Sequence, residues 1–429
     1  MHVSIAPHGE VAGSAVGGPS TAETSATTAT ETTGSAGTDV AAAIDFDRIR
    51  AALMVLGIGL HAADVFVSAG DWLVADPHRS VAFDALVALI HSFRVPGFFL
   101  LSGLLFAGSL SRHGTPGLAL RQLVRLGVPL LTCWAILNAA QTALLAWYRG
   151  GDPWEALASI STPMGHLWFV RDLLVINLLV LLWVAIRGAL PRRARQKTAS
   201  TAMPTSHPIH WLTVALIGAL LSHVLLVVIR LSGLAYAPGP GGLTLFNLAF
   251  YAPMFLAGLT MRHHPTWLAG WLRTPWWLLP VAAFAANWGD AASDTLPNAL
   301  AREVALAVEL LGIWLATGAA IGLLARWRGR GRGGLGGRLS GAWGRALADA
   351  SYTIFLVHHL MVVALALLLL PLDWPAALKF ALIASGALAL SLAFHRWVVR
   401  PFAVTRLLFN GRLPATRHEP PVTAAAGRA

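Results

Sequence analysis

Three titratable residues lie in the first apolar segments of the chain: His61, Asp64 and Arg94. A charged side chain near the centre of a bilayer costs roughly 2.5–3.5 kcal/mol on insertion scales, so such residues are functional candidates by default. A helix places His61 and Asp64 side by side, where the carboxylate can accept a hydrogen bond from the imidazole. Such a partner orients the ring and raises its basicity, as a general base requires. The alternative is a buried polar contact that ties helices together.

Two arginines extend this pattern. Arg50 lies eleven positions before His61, about 16 Å along a helix and close to the same face. Arg94 is followed by Pro96 and Gly97, a pair that predicts a break in its helix. Backbone groups freed by a break must line a cavity or be buried in protein. Arg94 there suits an anion such as a carboxylate, a phosphate or a developing oxyanion, or alternatively it caps the freed carbonyls.

Further candidates occur later in the chain. Arg121 and Arg125 are four positions apart and suit phosphate binding, although the preference of basic residues for cytoplasmic loops explains them equally well. His358 belongs to the segment "ASYTIFLVHHLMVV". The adjacent His359 is expected to point elsewhere, because neighbours on a helix differ by about 100°. The spacing of the histidines does not call for a metal, so we expect neither a metal nor a bound cofactor.

Composition places the chain in a membrane. Of its 429 residues 56% are hydrophobic and 12% charged, with a mean hydropathy of +0.64, whereas soluble domains are about 25% charged. The single cysteine, Cys133, excludes an internal disulfide framework. The net charge of +11 is compatible either with nucleic-acid binding or with basic cytoplasmic loops.

The position of the charges decides between these two explanations. Windows of about 20 apolar residues predict ten membrane spans at approximately 49–68, 83–107, 121–147, 167–187, 211–233, 243–262, 276–290, 302–326, 351–371 and 376–396. If the N-terminus is cytoplasmic, 24 of the 31 basic residues fall in cytoplasmic segments. The prediction is therefore an all-α integral membrane protein, a bundle of about ten transmembrane helices with both termini in the cytoplasm. Nucleic acid is not expected as a partner.

The segments outside the spans predict three regions. Residues 1–44 form a Thr/Ser/Ala/Gly tract that is typical of a disordered, low-complexity tail and of neither a signal peptide nor a presequence. Residues 45–405 form the transmembrane domain, and 406–429 a cytoplasmic tail. The "GRGGLG" segment at 331–336 matches a dinucleotide fingerprint, but no strand precedes it. A flexible basic loop is the better interpretation.

Five elements, in order, resemble the membrane-bound acyltransferase family 3, the polytopic bacterial O-acyltransferases. They are Arg50-x10-His61, "FRVPGFFLLSG", the pair Arg121 and Arg125, "GHLWFVRDLL" from Gly165, and "SYTIFLVHH". With the ten predicted spans, they cover roughly residues 45–405. Within the family, "HSFRVP" and "HLWF" are most similar to the branch that includes glucan-modifying succinyltransferase-type proteins.

The resemblance implies a reaction. An acetyl, succinyl or similar group would pass from cytoplasmic acyl-CoA, a co-substrate, to a hydroxyl of an extracytoplasmic glycan or lipid-linked sugar. The enzyme would be a multi-pass protein of the bacterial cytoplasmic membrane. With this reaction in view, we predict that His61, Asp64 and Arg94 are catalytic, that Arg50, Arg121, Arg125 and His358 bind the donor, and that His166 and Trp168 bind the acceptor. The role of Asp64 rests on its spacing from His61 alone and not on the resemblance. His61 either deprotonates the acceptor hydroxyl or briefly carries the acyl group.

Two other classes stay open. A transporter or flippase for a polar metabolite or lipid-linked sugar also uses broken helices and intramembrane charges. A polytopic sensor or scaffold explains the topology but leaves His61 and Arg94 without a task. Consumption of acyl-CoA distinguishes the enzyme from both.

Overall fold

The computed structural model describes residues 45–70, 72–158, 164–189, 210–327 and 342–412. Every regular element within these ranges is a helix. The predicted tail at 1–44 and the basic loop at 331–336 lie outside the described residues. The last helix crosses the predicted boundary at residue 406, and the tail beyond residue 412 is not described.

We number the helices in chain order. They are α1 Phe46–Asp64, α2 Val81–Gln122, α3 Val128–Cys133, α4 Ala139–Tyr148, α5 Pro153–Ala158, α6 Trp168–Ala189, α7 Trp211–Leu231, α8 Leu245–His263, α9 Pro265–Trp271, α10 Leu278–Thr295, α11 Ala299–Trp327, α12 Ala342–Leu369, α13 Ala376–Phe394 and α14 Ala403–Asn410. Short π-helical turns at Leu123–Gly127 and Trp134–Asn138 join α2, α3 and α4 into one long run.

Six helical stretches within the described residues are long and apolar enough to cross a membrane. They are Val81–Tyr148, Gly165–Gly188, Trp211–Leu231, Ala299–Arg326, Gly344–Leu369 and Ala376–Val399. The first contains both the second and the third predicted spans. Helices α1, α8 and α10 lie on the remaining predicted spans and are 19, 19 and 18 residues long. All ten segments are thus helical, and the count of ten crossings stays a prediction.

Helix α2 is not broken where its sequence predicts. It continues through Pro96 and Gly97, and its one residue with non-helical backbone angles is Gly114, whose φ is +67°. Proline removes one backbone hydrogen bond but does not force a break. Here Pro96 and Gly97 are buried, and a Cβ on Gly97 would lie 3.3 Å from Leu53 of α1 and 3.4 Å from Ile321 of α11. Close packing on both sides keeps this part of the helix intact.

Helix α1 lies between two hydrophobic clusters. Its N-terminal half gives Leu53 and Met54 to a large cluster with α2, α6, α8 and α11. Its other half gives Ile58 and Ala62 to a smaller cluster with α12 and α13. The helix ends at Asp64, where the N–H of Asp76 donates to the carbonyl of Val65 at 2.9 Å. The 65–80 segment therefore folds back over the end of α1.

Candidate functional site

The pairing of His61 with Asp64 is present in the last turn of α1. His61 Nδ1 lies 3.0 Å from Asp64 Oδ2, and each side chain is 14% exposed. A carboxylate only accepts, so Nδ1 carries the proton and Nε2 keeps its lone pair. Nε2 is buried and has no hydrogen-bond partner among the described residues. The pair therefore holds the imidazole of His61 in a fixed orientation, with Nε2 available to accept a proton.

His61 belongs to a group of four imidazoles, which we call the histidine cluster: His61, His166, His358 and His359. The ring of His61 lies 5.4 Å from that of His358 and 4.8 Å from that of His359. The ring of His166 lies 5.5 Å and 4.6 Å from the same two rings. Three segments that are far apart in the chain thus meet at one point. They are the end of α1, the turn before α6 and the middle of α12.

The hydrogen bonds fix which ring nitrogen of each histidine is left without a partner. His358 Nδ1 donates to the carbonyl of Phe355 at 2.7 Å, and His166 Nε2 donates to the carbonyl of Leu356 at 3.3 Å. The other ring nitrogen of each, His358 Nε2 and His166 Nδ1, is buried and unpartnered among the described residues. Together with His61 Nε2, they form three unused acceptors. Such a site suits a ligand that donates hydrogen bonds, as hydroxyls and thiols do.

The prediction that His359 points away from this site is wrong. Its ring lies against His61 and His166, and its Nδ1 donates to Gln141 Oε1 at 2.7 Å. Adjacent helix residues do diverge by about 100°. The rings of His61 and His166 nevertheless lie close to both His358 and His359, so both of these side chains belong to the cluster. Sequence reasoning also missed Trp72, which stacks on His61 with ring centres 5.9 Å apart. Nothing in the sequence marks Trp72, because its contact depends on how the 65–80 segment folds.

Arg94 is buried beside the cluster without a partner. Its side chain is 7% exposed, and no hydrogen bond or ion pair within the described residues engages it. The alternative that it caps freed carbonyls is therefore not what the structure shows. Its guanidinium interacts electrostatically with Asp64 and His61. An unpaired buried guanidinium is costly, and an anionic group on a ligand would stabilise it.

Gly57 makes the space that Arg94 occupies. A Cβ at Gly57 would fall on the guanidinium, whereas a Cβ at Gly59 would meet nothing within 4 Å. We expect Gly57→Ala to push the guanidinium aside without unfolding the protein, since the end of an arginine side chain is flexible. Acyl-transfer activity should fall at least about tenfold, which corresponds to about 1.4 kcal/mol of transition-state stabilisation.

The matched control for this change is Gly59→Ala, on the same helix. Both variants are to be assayed for acyl transfer and for thermal unfolding in detergent. Equal activity of the two variants at equal stability would show that the position of Arg94 is unimportant.

The predicted donor arginines lie in a separate place. Arg50 and Arg125 line one cavity together with Ser102, Asn177 and Tyr352, which we call the arginine cleft. Met54 of α1 also lines this cleft, seven residues or about 10 Å along the helix from His61. Arg121 does not line the cleft and is exposed. The structure thus brings two of the three predicted donor arginines together, and it places His358 in the histidine cluster.

The two predicted acceptor residues also separate. His166 belongs to the histidine cluster, whereas the ring of Trp168 packs against Tyr251 at 5.4 Å. As for metals, the described residues contain no group of three His, Cys, Asp or Glu side chains that could hold an ion.

A family model described as an acyltransferase domain matches residues 44–396, nearly the whole of the described chain. The protein belongs to this family, acyltransferase 3, and the resemblance predicted from its motifs is confirmed.

Curated bacterial relatives share one printed name. Glucans biosynthesis protein C of Salmonella gallinarum is 27% identical over 231 residues, covering 51% of this chain and 58% of the relative. The proteins of that name from Salmonella paratyphi B and Salmonella enteritidis are each 25% identical over 234 residues, with the same coverage. The chain thus matches little more than half the length of these relatives. No solved structure matches it.

Proposed function

We propose that this protein is a membrane O-acyltransferase that moves an acyl group from cytoplasmic acyl-CoA to a hydroxyl of an extracytoplasmic glycan. The observation that carries the proposal is the His61–Asp64 pair, in which Nε2 of His61 is buried without a partner among the described residues and the ring interacts electrostatically with Arg94. Family membership supports the reaction class. The printed name of the relatives supports a glucan as the acceptor. The same considerations favour the bacterial cytoplasmic membrane as its location.

The chemistry follows from the positions of these side chains. His61 Nε2 accepts the proton of the acceptor hydroxyl as its oxygen attacks the thioester carbonyl. Arg94 stabilises the negative charge that develops on the carbonyl oxygen. The carbon–sulfur bond then breaks, the CoA thiolate takes the proton from His61, and an ester and free CoA leave. Asp64 stabilises the imidazolium that exists between the two proton transfers.

The donor would approach along α1 from the cytoplasmic side. The arginine cleft offers guanidinium groups to the phosphates of CoA. Arg50 Nη2 lies 3.1 Å from the exposed carboxylate of Asp47, and its Nε is buried without a hydrogen-bond partner among the described residues. The thioester would then lie toward the histidine cluster. The cleft and the cluster share α1 as one wall, so a single elongated donor can contact both.

The direct test uses the full chain purified into lipid nanodiscs. We expect acetyl-CoA or succinyl-CoA to release free thiol only when a gluco-oligosaccharide is present, with one ester formed per thiol. A thiol reagent measures the first product, and mass spectrometry of the sugar measures the second and names the acyl group. Protein-free nanodiscs are the control.

The opposite result would favour the transporter. Uptake of the sugar into proteoliposomes without thiol release or ester would contradict acyl transfer.

A further inference from the structure

A second polar cavity lies between α2, α7, α8, α10 and α11, on the side where α7 ends and α8 begins. The predicted topology places this side outside the cell. The cavity has a volume of about 320 Å³. It is separate from the arginine cleft, and none of the residues predicted for the site lines it. We call it the outer cavity.

Glu309 lines this cavity as a buried carboxyl group without a hydrogen-bond or ion-pair partner among the described residues. Its side chain is only 7% exposed, yet no hydrogen bond or ion pair within the described residues engages it, and it lines the cavity. A buried carboxylate without a partner is strongly unfavourable. Asp290 and Asp294 line the same cavity. Carboxyl oxygens accept hydrogen bonds, so the cavity suits a ligand that donates them.

Two amides add to these acceptors. Asn287 lines the cavity, and its amide nitrogen donates to the carbonyls of Ala88 at 3.1 Å and Ala283 at 2.8 Å. Its oxygen is thus the atom left for a ligand. Asn247 lines the opposite wall, on α8. Hydrogen-bonding groups therefore face the cavity from at least two sides.

Aromatic rings form the rest of the wall. Tyr236 and Phe246 stack with centres 5.1 Å apart, and Phe250 lies 6.0 Å from Phe246 and 5.0 Å from Tyr251. All four line the cavity. Aromatic faces beside a few placed polar groups are typical of sites for small polar molecules that also have an apolar face. A sugar ring has both, with hydroxyls on its edge and C–H groups on its faces.

The charges in the cavity exclude an anionic ligand. Three carboxylates line it, and the one arginine, Arg230, is already engaged by Glu303 at 3.3 Å. A phosphate or carboxylate would be repelled by Glu309, Asp290 and Asp294. Among the described residues no three His, Cys, Asp or Glu side chains are grouped to hold a metal ion. Of the remaining ligands, the amides and the aromatic wall favour a neutral, hydroxyl-rich molecule. Charge-assisted hydrogen bonds from hydroxyls to carboxylates are among the stronger ones.

The outer cavity also borders the catalytic side chains. His91 lines it and interacts electrostatically with both Asp64 and Arg94. Tyr251 also lines it and interacts with Arg94, while its ring packs on Trp168. A ligand in the cavity therefore lies against two side chains that interact electrostatically with the proposed catalytic residues.

We propose that the outer cavity holds a neutral hexose unit of the acceptor glycan, with Glu309 accepting hydrogen bonds from its hydroxyls and the aromatic wall packing on its face. The inference rests on the proposed function, because it assigns the acceptor's place in that reaction. It extends the acceptor site from Trp168 to residues that carry no sequence motif.

The test measures sugar binding directly, without any acyl donor. A linear gluco-oligosaccharide is titrated into the full-length protein in detergent and followed by calorimetry. We expect saturable binding by the wild type, and binding at least about tenfold weaker for Glu309→Gln, because a neutral amide forms weaker hydrogen bonds than a carboxylate. Asn247→Ala is the second variant. Glu155→Gln, an exposed glutamate outside the cavity, is the matched control and should bind like the wild type.

The outcomes separate this inference from the proposed function. Weaker binding by both cavity variants, with the control unchanged, supports it whether or not acyl transfer is ever observed. Equal binding by Glu309→Gln and wild type overturns it, as does a wild type that acylates the sugar but shows no titratable binding. Acyl transfer itself is scored separately, by thiol release and by the mass of the sugar.

Discussion

Replacing His61 with alanine is expected to lower acyl transfer by about 10²–10⁴-fold, the usual contribution of a general base. Under the proposed mechanism the loss should appear in kcat, because His61 would act on the proton of the reacting hydroxyl and not on the distant parts of either substrate. Asp64→Asn should lose less. Its oxygen can still accept from Nδ1 of His61, so the ring keeps its orientation, but the charge that stabilises the imidazolium is gone.

The measurement is the initial rate of thiol release with a gluco-oligosaccharide acceptor, over a range of acyl-CoA concentrations. His113→Ala is the matched control: His113 lies near the far end of α2, where its ring bonds the carbonyl of Ser109 at 3.0 Å. Its rate should equal that of the wild type. A His61→Ala variant that keeps kcat within about threefold would remove His61 from the mechanism.

Breaking the pair between Lys379 and Asp76 should have the largest effect on stability. Lys379 Nζ lies 2.6 Å from Asp76 Oδ2, and both side chains are 1% exposed. Removing one member of a buried pair typically costs 3–5 kcal/mol of free energy of unfolding, because the other charge stays buried. We expect Lys379→Met to lose about this amount. The predicted position of Lys379 near a span end gave no sign of this structural role.

Thermal or denaturant unfolding in detergent measures the effect. The control is Asp373→Asn, since Asp373 is 95% exposed and contacts His78, the residue that also bonds Asp76. An exposed pair contributes only about 0–1 kcal/mol. The double variant Lys379→Met, Asp76→Asn should recover part of the loss, because no charge then stays buried. A Lys379→Met variant as stable as Asp373→Asn would show that the pair contributes nothing.

Local features of this fold follow from sequence. Apolar length predicts a helix on each of the ten segments, and the spacing of three predicts the contact between His61 and Asp64. Both depend only on residues close together in the chain. The spacing of Arg121 and Arg125 shows the limit of such reasoning. A π-helical turn at Leu123–Gly127 follows Arg121 and contains Arg125. Only Arg125 lines the arginine cleft.

Features that depend on tertiary packing do not follow from sequence. The histidine cluster needs α1, α6 and α12 in register, and no pattern along one helix fixes that. The role of Gly57 is visible only once the guanidinium of Arg94 lies against it. Glu309 has no motif around it, and its significance comes from the walls that other helices supply. The intact helix at Pro96 likewise depends on neighbours on both sides.

The link between Asp76 and Lys379 spans 303 positions of the chain. A chain emerging from the ribosome therefore makes α1, α2 and α6 long before it makes the partner that fastens the 65–80 segment over His61. The two histidines of α12 also arrive late. An unfinished chain in the membrane holds Arg94 and the His61–Asp64 pair but lacks half of the histidine cluster and the anchor of the segment that covers it. Biosynthesis thus completes the site only when α12 and α13 have been made, so truncated products lack the complete site.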